Sequence, residues 1–239
     1  MKNFRVGNYW FSAFHDLERI SAFVKDRMVQ KITKTIEERG NFLLALSGGQ
    51  TPKRLYELLN QDDRIDWSKV YVIQVDERWV PIDHEESNAR MIKSILTKME
   101  NFIPVPRERS PEFAATMYNN ELTDIFNRLE RLSYDLAILG MGEDTHTASL
   151  FPESFELDHE EYVKAFKVEK LNAFRISMTP KTLQNGKENY VLFTGKSKAE
   201  AFVNAHGVIN PFQHPIVLLP EEKTRFIVDY EAAEIIKGQ

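Results

Sequence analysis

Cysteine is absent from the 239 residues. That excludes disulfides, thiolate-bound zinc and a cysteine nucleophile, and it fits a reducing compartment, so a cytoplasmic location is expected. No stretch approaches the roughly 18 consecutive apolar residues of a membrane-spanning helix. The opening MKNFRVGNYWF lacks the continuous apolar core of a secretion signal. Positive charge is not in excess: 31 Lys and Arg against 36 Asp and Glu leave a net charge of −5. Nothing in that balance points to nucleic acid, and any basic site must be local. The 6 histidines show no HExxH or other close metal spacing, so neither a metal nor a cofactor is expected. Internal repeats, low-complexity linkers and sustained heptads are also missing. The expectation is one monomeric domain over residues 1–239.

What is present is a recurring unit. From Asp16 to Glu38, Leu17, Ile20, Val24, Met28, Ile32 and Ile36 form a helical stripe, with Gly40 as a plausible cap. Then short apolar runs alternate with polar loops and helical patterns. FLLAL (Phe42 to Leu46) leads to SGGQT and PKRLYELL. VYVIQV (Val70 to Val75) leads to DERWVPIDHEESN and ARMIKSILTKM. LAIL (Leu136 to Leu139) leads to GMGEDTHTASLF. RISM (Arg175 to Met178) leads to TPKTLQNG, NYVLF (Asn189 to Phe193) to TGKSK and AEAFVNA, and RFIV (Arg225 to Val228) to DYEAAEII. The pattern predicts a doubly wound, mainly parallel sheet flanked by helices. Ligands of such sheets bind beyond the carboxyl ends of the strands, so these loops should gather along one edge. Residues 104–132 fit less well. They are expected to be helical from Phe113 to Leu132 and to pack on the sheet or over the site.

Several loops can carry chemistry. Ser47, Gly48 and Gly49 permit close approach of a ligand, with Thr51 as a helix N-cap and Pro52 in the first turn, which is a generic phosphate site. It is not a Walker A loop, and neither is Gly195-Lys196-Ser197, because Tyr190 stands where the first glycine belongs. Asp76, Glu77 and Arg78 follow a buried strand directly, where charges must be paired or used. They form either a structural ion pair or a substrate contact through Arg78. His146 can act as a general base, with Asp144 to orient it, and the adjacent glycines can present amides to an oxyanion. A histidine simply bonded within a turn is the alternative. Arg175 and Lys198 are candidate phosphate ligands and Lys181 a weaker one. His15, His84, His159, His206 and His214 read as structural or exposed.

Together LALSGGQTP, VDERWVPIDHEESN, LAILGMGEDTHTASLFP, RISMT and TGKSKA resemble the 6-phosphogluconolactonase family, in the family's order, over about residues 43 to 201. The fold this implies is similar to that of glucosamine-6-phosphate deaminases and ribose-5-phosphate isomerases. The deaminases are the close competitor. They usually have tyrosine after Asp-Glu, where this chain has Arg78, and a ring-opening glutamate five residues beyond the histidine, where this chain has Phe151. Ser87-Asn88 is also lactonase-like. Thr145 stands where the family usually has glycine, and Gln50 where serine is commoner.

The resemblance implies metal-independent hydrolysis of 6-phospho-D-glucono-1,5-lactone in the oxidative pentose phosphate route. His146 would activate water, oriented by Asp144 or Asp76. Loop amides or Arg78 would stabilise the oxyanion. Ser47, Gly48, Gly49, Thr51, Arg175 and Lys198 would hold the phosphate. A deaminase-like enzyme and a catalytically silent sugar-phosphate-binding protein are the competing expectations.

Overall fold

The computed structural model describes residues 1–208 and 210–238. The chain opens with an antiparallel hairpin, β1 (Lys2–Val6) and β2 (Tyr9–Phe14). The expected stripe then forms α1 (Leu17–Arg39). Asp16 caps its first turn by accepting from the Arg19 amide, and Gly40, at φ 80°, closes its end. Ile20, Val24, Met28 and Ile32 are fully buried. Each such side chain stabilises the fold by about 1.5–3 kcal/mol relative to exposure.

Next come β3 (Phe42–Leu46), α2 (Lys53–Asn60), β4 (Val70–Gln74), β5 (Asp76–Arg78), α3 (Asn88–Ile95) and β6 (Asn101–Ile103). They are followed by α4 (Pro111–Arg128), β7 (Leu136–Gly140), β8 (Val163–Val168) and β9 (Ala173–Met178). The chain continues with α5 (Pro180–Asn185), β10 (Asn189–Phe193), α6 (Lys196–His206), β11 (Thr224–Asp229) and α7 (Tyr230–Lys237). The helix expected from Phe113 starts earlier, because Ser110 caps the Phe113 amide and Pro111 suits a first turn.

The main sheet has the order β1-β2-β11-β10-β7-β3-β4-β6. All its pairings except β1 with β2 are parallel. Alternation along the strands divides two layers. Phe42, Leu44 and Leu46 pack with α1, α2 and α3, whereas Leu43 and Ala45 pack with α4, α6 and α7. The sheet is therefore doubly wound, as expected from its apolar runs.

From β3 the chain winds outward through β4 to β6; from β7 it winds the other way through β10 to β11. β3 and β7 are adjacent, so the winding reverses between them. The carboxyl edge at such a reversal is the usual ligand position of this architecture.

One assignment is corrected. RISM does not join the parallel sheet. It lies in β9, the centre of a separate antiparallel sheet with the order β5-β9-β8. DERWVP is likewise not all loop, since Asp76–Arg78 forms β5 and pairs with β9. This second sheet continues from the carboxyl end of β4.

Candidate active site

Four parallel strands, in the spatial order β10, β7, β3, β4, send their following loops to the same edge. These carry TGKSK, GMGEDTH, SGGQT and DER respectively. The grouping expected from the sequence is thus produced by strand order.

In the β7 loop, Asp144 Oδ1 lies 2.5 Å from His146 Nδ1, and both side chains are 31% exposed. The aspartate therefore engages one ring nitrogen and leaves Nε2 free. The ring lies against the main chain at Gly142, where an added Cβ would sit 2.1 Å from Nδ1. Glycine is required there by contact. The turn closes through Gly142 N–H donating to His146 O at 2.9 Å and Thr145 N–H donating to Gly142 O at 3.0 Å. Phe151 stacks on the imidazole at 4.2 Å between centroids. Half-burial disfavours the Asp144 charge, but hydrogen bonds from His146 and Lys170 outweigh it and hold the carboxyl well below its usual range.

Asp76 has a different role from the one considered for it. Its Oδ2 accepts from Ser149 Oγ at 2.5 Å, so Asp144, not Asp76, holds the imidazole. Burial raises the Asp76 carboxyl, against the lowering influence of Arg78 and Ser149. Glu77 is fully buried and accepts from Gln74 Nε2 and from the amides of Arg78, Asn88 and Ala89. It also pairs with Arg107 at 2.9 Å. Glu77 is thus a structural charge at the N-terminus of α3, where a carboxylate is favoured.

Ser47 lies at the end of β3, 6% exposed, and its hydroxyl has no partner among the described residues. A Cβ on Gly48 would fall 1.7 Å from Asn88 Oδ1, so the loop and α3 touch through the bare backbone. Gly49 takes the left-handed conformation at φ 95°. Thr51 does not cap α2: the helix begins at Lys53 behind Pro52, with no side-chain cap. The anion site expected there rests on the glycine turn rather than on a threonine cap.

Arg78 and Arg175 are direct cross-strand partners in β5 and β9. Like charges so placed repel unless an anion lies between them. Arg78 donates to Glu86 O at 2.9 Å and Arg175 to Phe174 O at 3.1 Å. Burial, and then Arg78, lower the basicity of Arg175. Lys198, in the first turn of α6, is half-buried, and burial lowers its basicity against the opposing influence of Glu143. Among the described residues, Arg78, Arg175 and Lys198 join no ion pair, unlike Arg107 on Glu77. Ser197 beside Lys198 donates to Glu143 Oε1 at 2.7 Å, which ties α6 to the histidine loop.

Lys181 is not part of this edge. It pairs with Glu160 at 2.8 Å and lines a groove with Arg39 and Arg131, residues that precede β3 and β7. That groove lies at the opposite, amino edge. His214 was read as merely structural or exposed, yet its Nδ1 lies 3.3 Å from Thr145 Oγ1, beside the site. Lys170 is a contact of Asp144 that the sequence reading missed. Nothing in the local sequence linked the turn after VKAFKV to Asp144. No group of three or more His, Cys, Asp or Glu side chains among the described residues is arranged to hold a metal ion.

The family model described as glucosamine-6-phosphate isomerases/6-phosphogluconolactonase matches residues 15–228. A 6-phosphogluconolactonase of Synechocystis is 34% identical over 218 residues, covering 87% of this chain and 90% of the relative. The crystal structure of a 6-phosphogluconolactonase from Shewanella baltica superposes with a TM-score of 0.84 at 26% identity, covering 92% of this chain and 96% of that one. That of the Thermotoga maritima 6-phosphogluconolactonase gives 0.79 at 28% identity, covering 92% and 98%.

Proposed function

The chain belongs to the family of glucosamine-6-phosphate isomerases and 6-phosphogluconolactonases, and on that premise we propose that it hydrolyses 6-phospho-D-glucono-1,5-lactone to 6-phosphogluconate, with His146 as general base. The observation that carries the mechanism is the His146–Asp144 pair at the carboxyl edge of the sheet, to which Arg78, Arg175 and Lys198, in no ion pair among the described residues, are also brought.

With Nδ1 held by Asp144, His146 Nε2 accepts a proton from water. The resulting hydroxide oxygen bonds to the lactone carbonyl carbon, and the carbonyl oxygen becomes the tetrahedral oxyanion. Arg78 or amides of the glycine-rich turns stabilise that charge. The oxyanion then collapses, the bond to the ring oxygen breaks, and His146 returns its proton to that oxygen. Asp144 stabilises the imidazolium between these steps. The turn at Ser47–Gly49, with Arg175 and Lys198, holds the phosphate. Catalysis requires no metal in this scheme.

Phe151 favours the lactonase over a deaminase. It places an aromatic face, not a carboxylate, against His146. A ring-opening acid is therefore missing at the place where the deaminases carry theirs.

The test is lactone decay, with the lactone generated in situ, with and without protein and in the presence of EDTA. Acceleration over the spontaneous rate is expected, and a folded protein that gives none would overturn the reading. His146→Ala should lower kcat by about 10²- to 10⁴-fold. Arg175→Ala and Lys198→Ala should mainly raise KM.

A further inference from the structure

Lys170 stands in the short turn that joins β8 to β9, just before Asn172 at φ 45°. Its ammonium contacts Asp144 Oδ2, while Asp144 Oδ1 holds His146. The two oxygens of one carboxylate are thus divided between the imidazole and the lysine. The same ammonium lies 4.7 Å from the centroid of Phe151, the ring stacked on His146. Asp144 and Phe151 therefore each touch both His146 and Lys170. Such a closed cluster limits the rotation of all four side chains.

We propose that Lys170 is a positioning residue for His146, acting through Asp144, and that the β8–β9 turn clasps the base from the second sheet. The inference rests on His146 being the base. Two effects follow from the contact. The tether fixes the Asp144 carboxylate, and with it the ring orientation. The positive charge also offsets the field of Asp144 at the ring, so the imidazolium is favoured less than it would be beside an isolated carboxylate.

The other charged or titratable groups around the pair are few. Asp76 on β5 feels His146 electrostatically, and Arg78 lies next to Asp76. Glu143 of the same loop bonds Ser197 and faces Lys198. His214 touches Thr145 from the segment before β11. None of these occupies the second oxygen of Asp144, which distinguishes Lys170 from general surface charge.

The experiment compares wild type with Lys170→Met and Lys170→Arg. Lactone hydrolysis is followed as kcat/KM against pH, and the His146 ring signals, assigned with His146→Ala, are followed by NMR over the same range. Lys170→Met should move the acid limb to higher pH by about half a unit or more and lower the plateau several-fold. The ring titration should move in the same direction, and Lys170→Arg should restore both. A Lys170→Met ring titration and acid limb that coincide with wild type would overturn the proposal. The NMR arm needs no turnover. A moved ring titration in a protein without lactonase activity would support the clasp and count against the reaction alone.

Discussion

Thr145 sits between Asp144 and His146 in the left-handed conformation, at φ 64°. For a β-branched residue this is a strained backbone, and the family's usual glycine would not feel it. The structure compensates with local bonds. Thr145 Oγ1 donates to Asp144 O at 2.6 Å, and Thr145 O accepts from the Ile216 amide at 3.0 Å. The side chain is nearly fully buried, so the substitution is absorbed inside the loop, and His146 still meets Asp144. Both Thr145→Ala and Thr145→Gly lose the hydroxyl, but only glycine relieves the backbone. The glycine variant should be more stable than the alanine variant by about 1 kcal/mol. Thermal unfolding should separate their Tm values by about 2–4 °C, and equal Tm values would mean that the conformation carries no strain.

Among the strands, the continuous apolar runs buried on both faces were legible, and most strands with mixed burial were not. FLLAL, VYVIQ and LAIL are continuous apolar runs because helices cover both sides of their sheet. β1, β8 and β9 mix buried with exposed or half-buried positions, and their partners are set by register rather than composition. RISM shows the limit. Its apolar residues resemble a parallel strand, but Arg175 belongs opposite Arg78 in an antiparallel pair. The site loops were legible because glycine, aspartate and histidine have few other reasons to follow a buried strand. Lys170 was not, because only the fold brings a distant hairpin turn to Asp144. Glu77 also illustrates the difference between position and role. It joins β5, α3 and Arg107, so Glu77→Ala should leave three amides and a partly buried guanidinium without their carboxylate partner. The expected destabilisation is about 3–5 kcal/mol. A chemical denaturation curve that moved by less than about 1 kcal/mol would be incompatible with that role.

Across the whole molecule, labour is divided between the two sheets. The main sheet supplies the His146–Asp144 pair and the glycine turn, and the small sheet supplies Arg78, Arg175 and, from its β8–β9 turn, Lys170. The charge state of the site therefore enters the stability of the assembly. Asp144 is held below its usual range in the folded protein, so its contribution is present above the unfolded value, about 4, and is lost as pH falls through the folded one. Asp76 is raised by burial and acts with the opposite sign, favouring the fold as it gains a proton. Melting temperatures of wild type and Asp144→Asn should thus differ at neutral pH and converge as pH drops below about 4. A constant difference would refute the linkage. The Glu77 knot has a further consequence, in time rather than energy. The amides of Arg78, Asn88 and Ala89 all donate to a carboxylate that solvent does not reach. In heavy water they should exchange only when the whole fold opens, whereas exposed amides of the Glu169–Leu171 turn should exchange early. The same site would then contain the slowest and the fastest hydrogens of the molecule, a persistent frame beside a clasp that opens many times before the frame does.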